Sequence, residues 1–366
     1  MVERYGADSD LNGGFGNEQE FMALINGIDE LDGAAMEAAE RRLNSLTKPP
    51  GSLGLLERIA SQAAGITGEL AADVSKRAVV VMAGDHGVCE EGVSAFPAEV
   101  TPQMVMNFLA GGAAVNVLAR GAGADVFCVD MGVNADLAHE ALLVRKTRKG
   151  TANLAREAAM TRADAVSALR SGFELAAELA RDGYRMLATG DMGIGNTTAS
   201  AALCAALGGL TPDEAVGLGT GIAEDRRRHK VDVVARAIAL HAPDGSDPIG
   251  TLAKVGGLEI AGLAGLILGA AANRCLVVVD GFISSAAALV AAAIAPQAVP
   301  YMLGSHLSQE QGHARLLERI GLKPMIHLDM RLGEGTGAVL AFHFVDAALG
   351  VMREMATFES AGVSRE

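Results

Sequence analysis

Apolar positions along this chain follow two alternating rhythms. Residues 20–47 and 52–72 carry the three-to-four spacing of amphipathic helices, parted by Thr47-Lys48-Pro49-Pro50-Gly51, where two prolines and a glycine force the backbone out of helix. This predicts an N-terminal helical hairpin. A short β-branched run, 78–83, then ends at Gly84-Asp85-His86-Gly87, the pattern of a buried strand that delivers polar residues into a loop. The same punctuation returns at 125–130 before Met131-Gly132, at 185–188 before Gly190, at 276–279 before Asp280-Gly281, and at 325–328. Ala-rich helical segments lie between them.

Strands alternating with helices imply right-handed crossovers and an α/β fold, a Rossmann-like parallel sheet with helices on both faces. Ligands then belong at the carboxyl ends of the strands, where the polar and glycine-rich clusters fall. A last apolar-periodic stretch, 338–355, is expected to be a helix that leaves the sheet and packs with the N-terminal helices. The expected organisation is a flexible polar leader over 1–19, a small helical domain of 20–75 completed by 338–358, and a large α/β catalytic domain over 76–337.

Composition narrows the function classes. Half of the 366 residues are apolar and a fifth are charged, ample for a buried core, and 45 glycines with no Trp suit close helix-on-sheet packing. The formal charge of −14 offers no broad basic footprint, so nucleic acid is not an expected partner. Cys89, Cys128, Cys204 and Cys275 are scattered without a Cys-x-x-Cys pair, which predicts neither structural zinc nor disulfides and points to a reducing compartment. The apolar run 260–272 is broken by Arg274 and Asp280 before it reaches a membrane-spanning length. With no secretory-type apolar stretch at the N-terminus, a cytoplasmic protein without membrane attachment is expected.

Three glycine-rich loops precede helical patterns: Gly190 to Thr198, Gly217-Leu218-Gly219-Thr220-Gly221, and Gly333-Glu334-Gly335-Thr336-Gly337. One such loop is often a mere turn, but three together favour backbone N–H groups aimed at a phosphate or carboxylate. None completes a P-loop or a dinucleotide fingerprint, which disfavours kinases and dinucleotide oxidoreductases. Glu334 sits between two glycines, accessible and poorly placed for packing. His86, His306 and His313 lack the offsets of a metal site, so hydrogen-bonding roles are expected for them. The basic run Arg226-Arg227-Arg228-His229-Lys230 opens a helix beside the second loop, and Lys230 is its candidate anion contact.

These segments are collinear with a known family. Thr47 to Gly54, Ala83 to Val88, Ser94 to Thr101, Gly190 to Thr198, Asp280-Gly281-Phe282 and Leu332 to Gly337 resemble, in the same order, the phosphoribosyltransferase family of cobamide assembly. The resemblance spans about residues 40–355. It implies transfer of the phosphoribosyl group of nicotinate mononucleotide to 5,6-dimethylbenzimidazole, giving α-ribazole 5′-phosphate and nicotinate, with no metal, no cofactor and a homodimeric assembly. It further implies Glu334 as the catalytic base and Phe96 and Gln103 as the lining of the azole pocket. Substrate contacts are implied for Asp191, Met192, Gly193, Asn196, Thr197, Lys230, Asp280, Ser308 and Gly333. Two positions depart from the family pattern: Asp191 stands where Glu is usual, and Leu218 where Arg is usual. The first shortens a carboxylate arm and the second removes a bidentate anion contact.

The chemistry is compatible with one base. Nicotinate departs as a neutral pyridine nitrogen and needs no proton donor, while the attacking azole becomes cationic and readily loses its other N–H proton to a carboxylate. A position at a helix N-terminus is expected to lower the pKa of that carboxylate. The rival readings are a same-fold transferase with another azole, a purine or a phenol as acceptor, and a nucleotide sensor that does not catalyse.

Overall fold

The computed structural model describes residues 18–217 and 224–364. The leader over 1–17, and Leu218 with most of the second glycine loop, lie outside these residues. Among the described residues, one sheet holds seven parallel strands: β1 (Arg77–Gly84), β2 (Asp125–Gly132), β3 (Leu142–Val144), β4 (Met186–Met192), β5 (Leu276–Val279), β6 (Met302–His306) and β7 (Pro324–Ile326). Their spatial order is β3-β2-β1-β4-β5-β6-β7. The interior strand β1, RAVVVMAG, is buried along its whole length after Arg77. Helices cover both faces of the sheet, so the strand shows no polar alternation.

The N-terminal segment forms α1 (Glu18–Ile25), α2 (Gly33–Ser45) and α3 (Leu55–Thr67). The expected single helix over 20–47 is therefore two. The first ends in a turn at Asn26-Gly27, and Asp32 starts the second by accepting from the Ala35 N–H at 2.9 Å. Between the strands lie α4 (Val100–Leu109), α5 (Ala114–Ala122), α6 (Arg162–Arg181), α7 (Asn196–Gly208), α8 (Pro212–Ala215), α9 (Glu224–His241), α10 (Pro248–Val255), α11 (Leu258–Ala272), α12 (Phe282–Ile294) and α13 (His313–Ile320). The chain closes with α14 (Thr336–Glu354) and α15 (Phe358–Ala361).

Alternation along β1 separates the two helical layers. Met82 faces α11, since a Cβ at Gly262 would lie 2.6 Å from its Sδ; Val79 faces the start of α14, since a Cβ at Gly335 would lie 2.5 Å from its Cγ2. Outside α11 runs α6, and the two helices meet backbone to backbone. A Cβ at Gly265 would stand 1.8 Å from the Leu169 carbonyl oxygen, so only glycine admits this approach. Nearly every residue of α11 is buried, which explains why LEIAGLAGLILGAAA reads as uniformly apolar.

The last long helix corrects an expectation. Instead of leaving the sheet, α14 lies against β4, β5 and β6 as well as α3 and α5. Arg77 at the start of β1 clamps Asp346 of α14 at 2.7 Å, and Arg42 of α2 donates to the Met355 carbonyl at 2.8 Å. Two strands, β3 and β6, were not expected from the sequence. The expected strand at 325–328 begins at Pro324 and ends at Ile326.

Candidate active site

Chain direction diverges between β1 and β4: from β1 the sheet grows outward through β2, and from β4 through β5. Such a switch point opens a crevice at the carboxyl ends of the strands. Asp85 and His86 follow β1, Asp191 and Met192 end β4, and Asp280 follows β5. Across them lies the turn that starts α14, in which Gly333, Glu334 and Gly335 are all left-handed, with φ of 85°, 61° and 86°. Glycine adopts this backbone freely, whereas Glu334 is held in it at a cost of about 1 to 2 kcal/mol.

Two neighbours hold the turn there. Gly190 lies under it so closely that a Cβ would stand 2.6 Å from the Glu334 carbonyl oxygen. Asp280 accepts from the Gly335 N–H at 3.1 Å and the Ala338 N–H at 2.9 Å, capping α14 from below with both carboxylate oxygens. Although grouped with the substrate contacts from the sequence, Asp280 is wholly buried and faces the protein in these bonds. Its place is beneath the Glu334 turn, with His306 Nδ1 at 3.8 Å.

Glu334 itself is 6% exposed, and its Oε2 has no hydrogen-bond partner. Burial pushes its carboxyl above the usual range, an effect that the Val115 N–H at the start of α5 offsets only in part and the Asp280 carboxyl reinforces. The expected lowering by a helix N-terminus is thus outweighed by desolvation. Asp191, in contact range of Gly333, is driven much further up by burial and by Asp280, Glu259 and Glu334, despite accepting from Asn196 Nδ2 at 2.9 Å. Burial and mutual repulsion thus work against ionising all of these neighbouring carboxyls at once.

The Gly190 to Thr198 loop turns from β4 into α7 with Gly193, Gly195 and Asn196 buried and Met192 and Thr197 half-buried. Lys230 of α9 is buried and donates from Nζ to Thr197 Oγ1 at 2.6 Å. Burial pushes its ammonium down to about 8, against the pull of Glu310. Asn196, Thr197 and Lys230 are therefore brought together at the start of α7. Ser308 is buried after β6, where its N–H donates to His313 Nδ1 at 2.8 Å. The His313 ring, pushed down to about 3 mainly by burial, is neutral and carries its proton on Nε2, 2.9 Å from Ser285 Oγ. Phe96 is 51% exposed in the segment before α4, and Gln103 is an exposed residue of α4. Both are exposed in this chain, on the helix that packs against β1 and β4 and on the segment before it.

Sequence reasoning missed Glu259. It is fully buried at the start of α11 and meets His86 Nε2 at 2.6 Å, directly behind Gly193. Burial opposes a charge on His86, but the Glu259 carboxylate outweighs it and raises the ring's pKa. The available signal was a lone acid in an otherwise apolar run. His86 holds the hydrogen-bonding role expected of it.

A crevice lined by acids on one side and by a lysine and glycine loop on the other suits a ligand with a cationic ring and an anionic tail, as in a phosphoribosyl donor. Comparison with known proteins gives this class a name. The family model for phosphoribosyltransferases matches residues 28–363, and the chain belongs to that family. It is 56% identical over 343 residues to a nicotinate-nucleotide--dimethylbenzimidazole phosphoribosyltransferase of Chloroflexus aggregans, covering 93% of this chain and 97% of that one. A protein of the same description from Geobacter is 53% identical, with 94% and 98% covered. The fold is also that of the crystal structure of the Thermus thermophilus enzyme of this description, with a TM-score of 0.87, 47% identity, and 92% of this chain and all of that chain covered.

Proposed function

We propose that this chain transfers the phosphoribosyl group of nicotinate mononucleotide to 5,6-dimethylbenzimidazole, giving α-ribazole 5′-phosphate and nicotinate, in assembly of the cobalamin lower ligand. One observation carries the residue-level reading: a buried carboxylate, Glu334 Oε2, is left without a partner in a strained turn at the sheet's switch point. Desolvation that no bond within the protein repays is tolerated where a ligand supplies the missing partner.

One azole nitrogen attacks C1′ from the face opposite nicotinate, the new N–C1′ bond forms as the pyridinium N–C1′ bond breaks, and the configuration at C1′ inverts. The leaving pyridine takes the bonding pair and becomes neutral. The attacking azole turns cationic, and its other N–H gives its proton to Glu334. A carboxyl raised by burial is a better acceptor than one in water, provided that it is ionised at the working pH. Asp191, whose carboxyl is driven far up by burial and by Asp280, is held towards its neutral form and offers a hydrogen bond to the nucleotide, while the carbonyls and the ionised acids of the crevice favour positive charge on the ribose as the bond breaks. Lys230, Thr197, Asn196, Gly193 and Met192 receive the nucleotide, with Gly333 and Ser308 at the edges of the crevice. Phe96 and Gln103 receive the azole.

The chain is further proposed to work as a homodimer in the cytoplasm. In support of a partner copy, Met106, Val117 and Phe344 are large apolar side chains left exposed in one chain.

The test is incubation with both substrates, followed by chromatography for nicotinate and proton NMR of the product's anomeric centre. Equimolar nicotinate and an α-linked ribotide are expected. Nicotinate release without the α-linked azole product would overturn the assignment of the acceptor, and no release at all would overturn the reaction.

A further inference from the structure

Ile194, in the middle of the glycine loop, is gripped by its backbone from two sides. Its N–H donates to the hydroxyl of Thr101 at 3.1 Å, and its carbonyl accepts from the Cys89 thiol at 3.1 Å. Thr101 is fully buried on the first turn of α4, and Cys89 lies in the 3-10 turn Gly87–Glu91 that follows β1. Neither grip is an accident of loose packing. A Cβ on Gly195, which follows Ile194, would stand 2.7 Å from Cys89 Sγ, so the thiol fits the loop only because that residue is glycine. Burial pushes the Cys89 thiol up to about 11, which keeps it protonated and able to donate. Burial raises the Asp85 carboxyl, a rise that the Asn134 N–H and the nearby Thr101 hydroxyl oppose only in part.

Thr101 occupies an unusual junction. Two residues further along α4 is Gln103, assigned above to the azole, and the next helix, α5, begins where the Val115 N–H faces the Glu334 carboxylate. The single side-chain bond from α4 to the nucleotide loop runs through this hydroxyl, among the described residues. We propose that Thr101, with Cys89, is a positioning residue that sets the glycine loop for the nucleotide, and that Thr101 couples the two substrates, so that an azole seated against α4 tightens the hold on nicotinate mononucleotide. This rests on the assignment of donor and acceptor made above. The energetic basis is ordinary: ordering α4 by one ligand removes part of the cost of ordering Ile194 for the other.

The experiment measures binding of nicotinate mononucleotide by titration calorimetry, with and without 5,6-dimethylbenzimidazole, in a Glu334→Gln background that blocks turnover. With Thr101 intact, the azole is expected to tighten nucleotide binding about fivefold or more. Thr101→Val should weaken nucleotide binding about tenfold and bring the azole effect to nothing, because the methyl that replaces the hydroxyl cannot accept from Ile194. Thr101→Ser should restore the coupling, and Cys89→Ala should weaken nucleotide binding while leaving the coupling in place. The proposal is overturned if Thr101→Val keeps the azole effect, or if Thr101→Ser loses it together with folding stability, which would mark a packing role only. Parallel turnover by the protein with Glu334 present separates the two levels of the argument. If the unmodified protein makes no α-linked product, both readings fail; if it does and Thr101→Val remains coupled, only this one fails.

Discussion

Glycine serves opposite ends in two regions of this molecule. Between α6 and α11 it removes side chains so that two helices touch along their backbones: Gly172 meets Gly262, and Gly265 meets Leu169. Both helices are regular there, and the contact lies within the hydrophobic core. At the sheet's carboxyl edge, Gly333, Gly335 and Gly190 instead hold a carboxylate in a left-handed backbone, among four other buried acids, Asp85, Asp191, Glu259 and Asp280. Oxygens of Asp85, Asp191, Glu259 and Glu334 are left there without hydrogen bonds. The first region lowers the energy of the fold and the second raises it. Strain and unrepaid desolvation gathered at one edge mark where a ligand completes the structure.

The contrast can be broken from either side. Gly265→Val places side-chain atoms on the Leu169 carbonyl and should cost about 3 kcal/mol of stability, seen as a clear fall in thermal midpoint. KM for both substrates should be unchanged in the protein that remains folded. Gly190→Ala should do the reverse. Its methyl would push against the Glu334 backbone, and kcat should fall about tenfold, equivalent to about 1.4 kcal/mol, with a smaller change in thermal midpoint. A smaller effect is expected from pH. The Lys230 ammonium, held down to about 8 by burial, is cationic below that pH and loses its charge above it, so KM for nicotinate mononucleotide should rise a few-fold between pH 7 and pH 9. Glu334 has the opposite sense: its raised pKa means that kcat falls as pH is lowered through that value and the base becomes protonated. Steady-state kinetics from pH 9 down into the acid range, with each substrate varied in turn, separate the two limbs.

What was legible in the sequence was the part that local rules decide. β1, β2, β4 and β5 are short apolar runs punctuated by Gly or Asp-Gly, and the ends of β1 and β4 bring Asp85, His86 and Asp191 to the switch point. The Gly-Glu-Gly turn also stood out, but the accessibility expected of Glu334 from its flanking glycines did not hold: the turn folds it in to 6% exposure. Other features depend on contacts far apart in the chain. β6 reads MLGSH, in which Gly304, Ser305 and His306 hide a strand that is buried only because β5 and β7 flank it. The capping role of Asp280 requires α14, more than fifty residues downstream, to begin directly above it. Likewise, no local pattern tells that α14 returns across the sheet, because an apolar helix satisfies the same periodicity whether it packs on helices or on strands. Glu259 left a signal, as a lone charge in an apolar helix, but its partner His86 lies 173 positions away.

The central claim is that Glu334 accepts the azole proton. The direct measurement is single-turnover formation of α-ribazole 5′-phosphate by Glu334→Gln, with both substrates saturating and the fold checked by its thermal midpoint. Glutamine keeps the shape and removes the base, so the chemical step should slow by about 10² to 10⁴-fold while the midpoint holds or rises. A folded Glu334→Gln protein that forms product at the unmodified rate would contradict the account.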